Sequence, residues 1–302
     1  MGRKILLFYR HFPVAMGRYI HWALEELGNN VFSCGPYSGS KIPWGPQFDY
    51  PEYMFPPDLE LPDANLPVGE AIRQTEQKGF YPDVIIQAAD TIYLEGKAPM
   101  KNIVIGTDPH VIDYHQAIKN ADVYVSMQKY YLKDYPSGSL WMPYGFDPNI
   151  HKYLPNERFQ YHVVFCGLQY PQRKEALRRI AEAGWKVYSG LGHIYEEYTK
   201  LYNSGMIAFN WSSKQDLPAR FWEGLGMRRC VLTNRVPDLH DIPLEEGVDY
   251  IAFSDMDEAV EKASYYLKRP EALFQIANNG YKKSREFTWK NRVERMLKEC
   301  QI

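Results

Sequence analysis

The side chains best suited to binding a charged substrate lie between positions 205 and 234. A short apolar run there predicts a buried strand, a polar loop follows it, and Pro218 suits the first turn of a helix. Arg220 and Glu223 lie early in that helix, where unpaired amides and the helix dipole favour an anion. The pattern therefore suits a diphosphate beside Arg220, with Glu223 accepting hydrogen bonds from sugar hydroxyls. The same two residues also have the i, i+3 spacing of an ordinary exposed ion pair.

A second group of residues precedes this stretch in the chain. Residues 161–167 predict a strand that ends in Gly167, and residues 172–183 predict a helix. Arg173 lies in the first turn of that helix, where a positive charge opposes the helix dipole. Because this placement does not favour the helix, it indicates an anionic ligand nearby.

Strands alternate with helices along most of the chain, which predicts parallel sheets with helices on their faces. Residues 149–160 lack periodicity and predict a linker, after which the alternation starts afresh. We therefore expect an α/β fold with two Rossmann-like βαβ domains, residues 1–150 and 151–286. Ligands of such sheets bind beyond the carboxyl ends of the strands, so the two domains are expected to face each other across a cleft.

Bulk properties exclude several classes of protein. The 302 residues carry a formal net charge of −2, which argues against a polybasic surface for nucleic acids or membranes but not against a local basic groove. No stretch approaches the roughly 18 apolar residues of a membrane span, and the short apolar N-terminus predicts a first strand rather than a signal peptide. The four cysteines lack metal-ligand spacing, so we interpret them as small buried side chains in a reducing, cytoplasmic setting.

The second half of the chain resembles a known family. Phe165-Cys-Gly167, Arg173, residues 197–202, Arg220-Phe-Trp-Glu223 and Val231-Leu-Thr233 follow one another as in the nucleotide-sugar domain of GT-B glycosyltransferases. The pattern is most similar to the family-4-like, spore-maturation CgeB-like branch, over roughly residues 140–296. The resemblance implies transfer of a sugar from a nucleoside diphosphate sugar to an acceptor hydroxyl. It also implies a last helix, within residues 287–302, that crosses back onto the first domain.

Residue roles in binding the nucleotide sugar follow from the resemblance by position. Gly167 would let the backbone approach the phosphates, Arg173 and Arg220 would neutralise them, and Glu223 would hold the ribose hydroxyls. Fixed cations and amides can stabilise the leaving diphosphate, so neither a metal ion nor a cofactor is expected besides the nucleotide sugar as co-substrate.

The sequence departs from the family at one position. Many relatives carry a glutamate near the transferred sugar, seven intervening residues before the position of Glu223. Gln215 stands at that position here, and Asp216 is one residue closer to Glu223. Asp216 is therefore the candidate carboxylate for the sugar, and a retaining or an inverting outcome is not predicted.

Candidate general bases lie in the first half of the chain. Asp108 and His110 follow a predicted strand at the ligand edge of the first sheet, where a base could deprotonate the acceptor hydroxyl. Asp108-Pro109 is also typical of a turn or a helix cap. His11 follows the first strand and is a third candidate, although a histidine there also fits a hydrogen-bonded structural role.

Two further motifs have simpler interpretations. Asp255-Met-Asp257 fits the Asp-x-Asp metal motif of another glycosyltransferase architecture, but it opens a predicted helix and so predicts an N-cap. Gly190-Leu-Gly192 follows a strand but lacks the third glycine of a dinucleotide-binding loop, and we instead expect these glycines to line the nucleotide pocket.

The sequence leaves the acceptor open between a glycan, a protein hydroxyl and a hydroxymethylated base in DNA. It also leaves open whether a hexose or a pentose is transferred. A nucleotide-sugar epimerase of the same architecture and a non-catalytic sugar-nucleotide-binding protein are the alternative functions. Residues 35–69 contain eight prolines and predict an irregular insertion, either a wall of the acceptor pocket or a surface excursion.

Overall fold

A computed structural model describes residues 2–43 and 48–302 of the chain. Residues 44–47 of the predicted insertion lie outside the described residues. The strands are β1 (Lys4–Phe8), β2 (Asn30–Gly35), β3 (Leu59–Glu60), β4 (Leu66–Pro67), β5 (Val84–Ala89), β6 (Leu94–Glu95), β7 (Lys101–Gly106), β8 (Val123–Ser126), β9 (Leu140–Trp141), β10 (Tyr161–Cys166), β11 (Val187–Gly190), β12 (Gly205–Asn210), β13 (Cys230–Asn234) and β14 (Ile251–Phe253). The helices are α1 (Met16–Glu26), α2 (Val68–Gln77), α3 (His115–Ile118), α4 (Pro171–Glu182), α5 (Tyr195–Asn203), α6 (Ala219–Gly226), α7 (Met256–Leu267), α8 (Pro270–Ser284) and α9 (Trp289–Glu299).

The chain divides into two compact units. Unit 1 comprises Met1–Pro143 together with Trp289–Ile302, and unit 2 comprises Tyr144–Thr288. Each unit is built on a parallel sheet with helices packed against it, so the predicted α/β fold is confirmed.

Unit 1 contains a seven-stranded sheet in the order β3-β2-β1-β5-β7-β8-β9, in which every neighbouring pair is parallel. The central strands β1, β5 and β7 are almost entirely buried, as expected where helices cover both faces of a parallel sheet. The C-terminal helix α9 belongs to this unit and packs on α1, where the rings of Tyr19 and Trp289 stack at 5.9 Å.

Unit 2 contains a five-stranded parallel sheet in the order β11-β10-β12-β13-β14. Its core is formed by apolar strand residues and the buried faces of α4, α7 and α8. Because all five strands are parallel, their carboxyl ends lie at one edge of the sheet. The residues that follow β10, β12 and β13 therefore come together there.

The boundary between the units lies earlier than the predicted position 150. The backbone N–H of Phe146 donates to Phe287 O (3.3 Å), and the Phe146 ring occupies the space that a side chain at Gly226 would fill. Farther along, Thr199 Oγ1 donates to Ile150 O at 2.7 Å. These contacts attach the predicted linker to unit 2, a long-range effect that local periodicity does not record.

The structure also bears on the cysteines and on the question of a membrane-spanning helix. All four cysteines are buried and free, as expected of small apolar side chains. Within the described ranges, no helix combines the length and the apolar character needed to cross a membrane.

Candidate functional site

The candidate site of unit 2 lies at the carboxyl edge of its sheet. Gly167 follows β10, residues 211–218 follow β12, and α6 begins directly after that loop. The loop is held to the end of β13, because Ser212 N donates to Asn234 Oδ1 (2.6 Å) and Asn234 Nδ2 donates to Ser212 O (3.3 Å). The edge is thus a framework of strand ends tied by side-chain amides.

Arg220, in the first turn of α6, is anchored to two strand ends. Its Nε donates to Cys166 O at 3.0 Å and its Nη1 donates to Asn210 Oδ1 at 3.1 Å. Its guanidinium also lies 4.7 Å from the centre of the Phe165 ring. The two hydrogen bonds use two of the five N–H groups of a guanidinium, so the anchored cation keeps the capacity to donate to an anion.

Gly167 makes room for that guanidinium. Its φ of +154° lies in a region that favours glycine, and a Cβ at this position would collide with Nη2 of Arg220. Its own N–H donates to Gly190 O (2.9 Å), which joins the ends of β10 and β11. The close approach of phosphates to Gly167 stays a prediction. The structure adds that Arg220 can occupy its position only because residue 167 has no side chain.

Arg173 braces the loops of the same edge. It is only 6% exposed, and its Nε donates to Trp211 O (2.5 Å) while its Nη1 donates to Leu168 O (3.0 Å). Burial lowers its pKa to about 10, and the positive charge of Arg220 contributes. The unfavourable position of Arg173 at the start of α4 therefore has a structural explanation, since it binds two backbone carbonyls. Its contact with phosphate stays a prediction.

Glu223 faces the interior of unit 2 and is 14% exposed. Its Oε2 accepts a hydrogen bond from the hydroxyl of Tyr198 at 2.6 Å, and its Oε1 lies 3.6 Å from Nε2 of His151. Arg220 instead binds the strand ends, so the alternative of an ordinary exposed Arg220–Glu223 pair is wrong. Sequence reasoning missed Tyr198 and His151, because the first lies in a common amphipathic helix and the second in an aperiodic segment.

Asp216 folds back onto its own loop. The preceding residue, Gln215, has a left-handed φ of +54°, and Oδ1 of Asp216 accepts from Lys214 N at 3.3 Å. The Asp216 side chain is 5% exposed. Its contact with the transferred sugar stays a prediction.

The candidate bases lie at the carboxyl edge of the sheet in unit 1. Asp108 follows β7, and its carboxylate accepts from Thr107 Oγ1 (2.8 Å) while its carbonyl accepts from Val111 N (3.0 Å) and from Ile112 N (2.9 Å). Asp108 therefore forms the turn that the sequence allowed, and the side chains of Asp108 and His110 are both half-buried.

His11 follows β1 at the same edge but is 1% exposed. Its ring stacks on Tyr9 at a centroid distance of 3.7 Å, and burial lowers its pKa to about 3. A substrate would reach His11 only after a local rearrangement. Nearby, the buried Arg10, which sequence reasoning missed, pairs with Asp63 (2.5 Å) and Asp90 (2.9 Å).

The two remaining motifs have structural roles. The side chain of Asp255 accepts from Glu258 N (2.9 Å), so the predicted N-cap of α7 is confirmed. Gly190 ends β11 and accepts the hydrogen bond from Gly167 described above. Among the residues that the structure covers, no three His, Cys, Asp or Glu side chains form a cluster suited to a metal ion.

Comparisons with known proteins agree with this architecture. Residues 150–298 match the family described as glycosyl transferase-like. No protein with a curated description is significantly similar in sequence. The solved structure of HepE from Anabaena in complex with UDP and glucose is similar over 99% of both chains, with a TM-score of 0.69 and 11% identity.

Two further structures share the fold at low identity. Sucrose-phosphate synthase from Thermosynechococcus elongatus matches 99% of this chain and 98% of its own, with a TM-score of 0.63 and 13% identity. A putative UDP-N-acetylglucosamine 2-epimerase from Listeria monocytogenes matches 100% of this chain and 96% of its own, with a TM-score of 0.57 and 10% identity. The chain therefore has the fold of the GT-B glycosyltransferase superfamily, and its residues 150–298 match the glycosyl transferase-like family.

Proposed function

We propose that the protein is a glycosyltransferase that moves a sugar from a nucleoside diphosphate sugar to an acceptor hydroxyl. The observation that carries this proposal is that Arg220 and Glu223 lie on the same turn of α6, each held by its own partners, within the region that matches the glycosyl transferase-like family. One turn of α6 presents an anchored cation and an enclosed carboxylate at the edge where parallel sheets bind ligands. Within the superfamily we assign the chain to the family-4-like, CgeB-like branch, on the Arg220-Phe-Trp-Glu223 segment.

The proposed chemistry follows from the charges of these groups. As the glycosidic bond breaks, negative charge grows on the leaving diphosphate, and Arg220 together with the N-terminus of α6 would stabilise it. Glu223 would accept hydrogen bonds from the ribose hydroxyls. We further propose that the reaction needs no metal ion, and that Asp108 or His110 deprotonates the acceptor if the stereochemistry is inverted.

The nucleotide is proposed to be uridine diphosphate. HepE, which shares the fold, was solved in complexes with UDP and with UDP-glucose. The acceptor is proposed to be a glycan or a protein hydroxyl, with a hydroxymethylated base in DNA as the lesser alternative because the net charge is −2.

A nucleotide-sugar epimerase is the second candidate function, because the Listeria protein described as a putative epimerase shares the fold over the whole chain. Transfer and epimerisation differ in their products. A transferase releases the free nucleoside diphosphate, whereas an epimerase converts one nucleotide sugar into another.

The experiment has two steps. First, thermal unfolding is measured with UDP, GDP, ADP, CDP and dTDP, and we expect UDP to raise the Tm most. Second, the protein is incubated with UDP-glucose, UDP-galactose, UDP-N-acetylglucosamine and UDP-xylose, and the nucleotides are resolved by chromatography. Release of UDP supports transfer or its hydrolytic side reaction, and an isomerised UDP-sugar would support the epimerase. A Tm that none of the five nucleotides raises would overturn the proposed function.

A further inference from the structure

Glu223 is held by two residues that come from different segments of unit 2. Tyr198 lies on α5 and donates its hydroxyl to Oε2 at 2.6 Å. Burial, followed by the nearby carboxylate of Glu223, raises the pKa of Tyr198 well above its usual value, so the hydroxyl remains a hydrogen-bond donor. The second carboxylate oxygen faces Nε2 of His151 at 3.6 Å, longer than a hydrogen bond but close enough for the N–H dipole to act on the charge.

The tautomer of His151 follows from its other ring nitrogen. The backbone N–H of Asp147 donates to Nδ1 at 3.2 Å, so Nδ1 accepts and the proton of the neutral ring is on Nε2, towards Glu223. The side chain is 3% exposed, and burial lowers its pKa, which favours this neutral form. His151 therefore presents an N–H group rather than a lone pair to the carboxylate.

The segment that carries His151 is fastened to α5, the helix that carries Tyr198. Thr199 Oγ1 donates to Ile150 O (2.7 Å), and Asn203 Nδ2 donates to Lys152 O (2.9 Å). The His151 and Tyr198 rings meet edge to face at 5.9 Å. Two chain segments that are hydrogen-bonded to each other therefore lie on either side of the Glu223 carboxylate.

We propose that His151 and Tyr198 are positioning residues that hold Glu223 in the one orientation from which it binds the ribose diol of the nucleotide, and so make the site selective for ribonucleotides. This inference rests on the proposed function, because it assumes that Glu223 contacts the ribose. A carboxylate oxygen has two acceptor positions, so Tyr198 occupies one position on Oε2 and leaves acceptor positions for two ribose hydroxyls. A carboxylate free to rotate would lose this bidentate match, as pre-organised groups bind more tightly than mobile ones.

The test compares the affinities of UDP and 2′,3′-dideoxy-UDP by titration calorimetry. We expect the wild type to prefer UDP by about tenfold or more, since hydrogen bonds to charged groups contribute strongly. Tyr198→Phe removes only the hydroxyl and is expected to reduce this preference about threefold, with little change in the affinity for the dideoxy nucleotide. His151→Phe should also reduce the preference for UDP over the dideoxy nucleotide. His151→Gln keeps an N–H donor near the position of Nε2 and should therefore retain much of that preference.

Tyr265→Phe is the matched control. It is the same substitution in unit 2, but the Tyr265 side chain lies on α7, is 49% exposed and packs against the guanidinium of Arg269. The preference of this variant for UDP should equal that of the wild type. In a Glu223→Gln background, Tyr198→Phe should have no further effect on the preference, because the two residues act as one unit.

The possible failures are distinguishable. If Tyr198→Phe and His151→Phe lower the affinities for UDP and for the dideoxy nucleotide by the same factor, the two residues are merely structural. The inference is then overturned, while the proposed function stands. The inference is likewise overturned if the wild type binds UDP without preferring it to the dideoxy nucleotide. If no nucleoside diphosphate binds the wild type, the proposed function fails and the inference fails with it.

Discussion

Arg220→Ala tests the candidate site most directly, and its effects on stability and on binding can be worked out separately. The substitution leaves two acceptors, Cys166 O and Asn210 Oδ1, without their guanidinium donors. Each unsatisfied buried acceptor costs about 1–3 kcal/mol, and the lost contact with the Phe165 ring adds about 0.5–1 kcal/mol. Because water can reach part of the vacated space, we expect the free energy of unfolding to fall by about 2–3 kcal/mol. The free energy of unfolding of such domains is about 5–15 kcal/mol, so the variant should stay folded.

The loss of UDP affinity in Arg220→Ala is expected to exceed what its lower stability alone would cause. A charge-assisted contact with a diphosphate contributes about 1.5–3 kcal/mol, which corresponds to about 10- to 150-fold weaker binding of UDP. Urea unfolding monitored by tryptophan fluorescence gives the stability, and calorimetry at a temperature where the variant is folded gives the affinity. Arg220→Lys keeps the charge but loses the planar fork, so its affinity should lie between those of the wild type and Arg220→Ala.

Arg178→Ala is the matched control for this experiment. Arg178 is an exposed arginine of α4 that pairs with Glu175 (2.7 Å) and with Glu182. Solvent screens exposed ion pairs of this kind, so both the free energy of unfolding and the UDP affinity should stay close to those of the wild type. If folded Arg220→Ala binds UDP as tightly as Arg178→Ala does, Arg220 serves only to tie the strand ends and the phosphate role is refuted.

Three further predictions address single residues. Gly167→Ala should lower the affinity for UDP at least tenfold, because a Cβ at this position displaces the guanidinium of Arg220. The control is Gly184→Ala, where φ is +94° and no atom lies near the added Cβ; this variant should lose about 1 kcal/mol of unfolding free energy and keep its affinity. Equal affinities in the two variants would contradict this account. Asp108→Asn should abolish sugar transfer while UDP affinity is retained, and full turnover in this variant would eliminate Asp108 as the base. Burial lowers the pKa of His11 to about 3, so below about pH 6.5 the unfolded chain binds a proton that the folded chain excludes. The corresponding stability is present above pH 6.5 and is lost as the pH falls towards 3. The unfolding free energy of His11→Phe should therefore decline less steeply with falling pH than that of the wild type. If the two proteins show the same slope of unfolding free energy against pH, the ring of His11 is not buried as described.

Much of the fold follows from the sequence because its cause is local. Runs of apolar residues such as those of β5 and β12 are buried on both faces, and a parallel sheet is the structure that buries them. The N-cap at Asp255 was also predictable, because its hydrogen bond to Glu258 N spans three residues. The division at Tyr144 was not, since it depends on contacts of Phe146 with Phe287 and Gly226, far away in the chain.

For the candidate site, the sequence was sufficient to place Gly167 at a strand end and Arg220 and Glu223 on the helix that follows β12, because these boundaries depend on local patterns. It did not determine their partners. Long-range packing sets those partners: Arg220 binds Cys166 O and Asn210 rather than Glu223, and Glu223 lies between Tyr198 and His151. Helical spacing limits which neighbours a side chain can reach, whereas the choice among them depends on which buried polar groups of the packed sheet still need a hydrogen-bond partner.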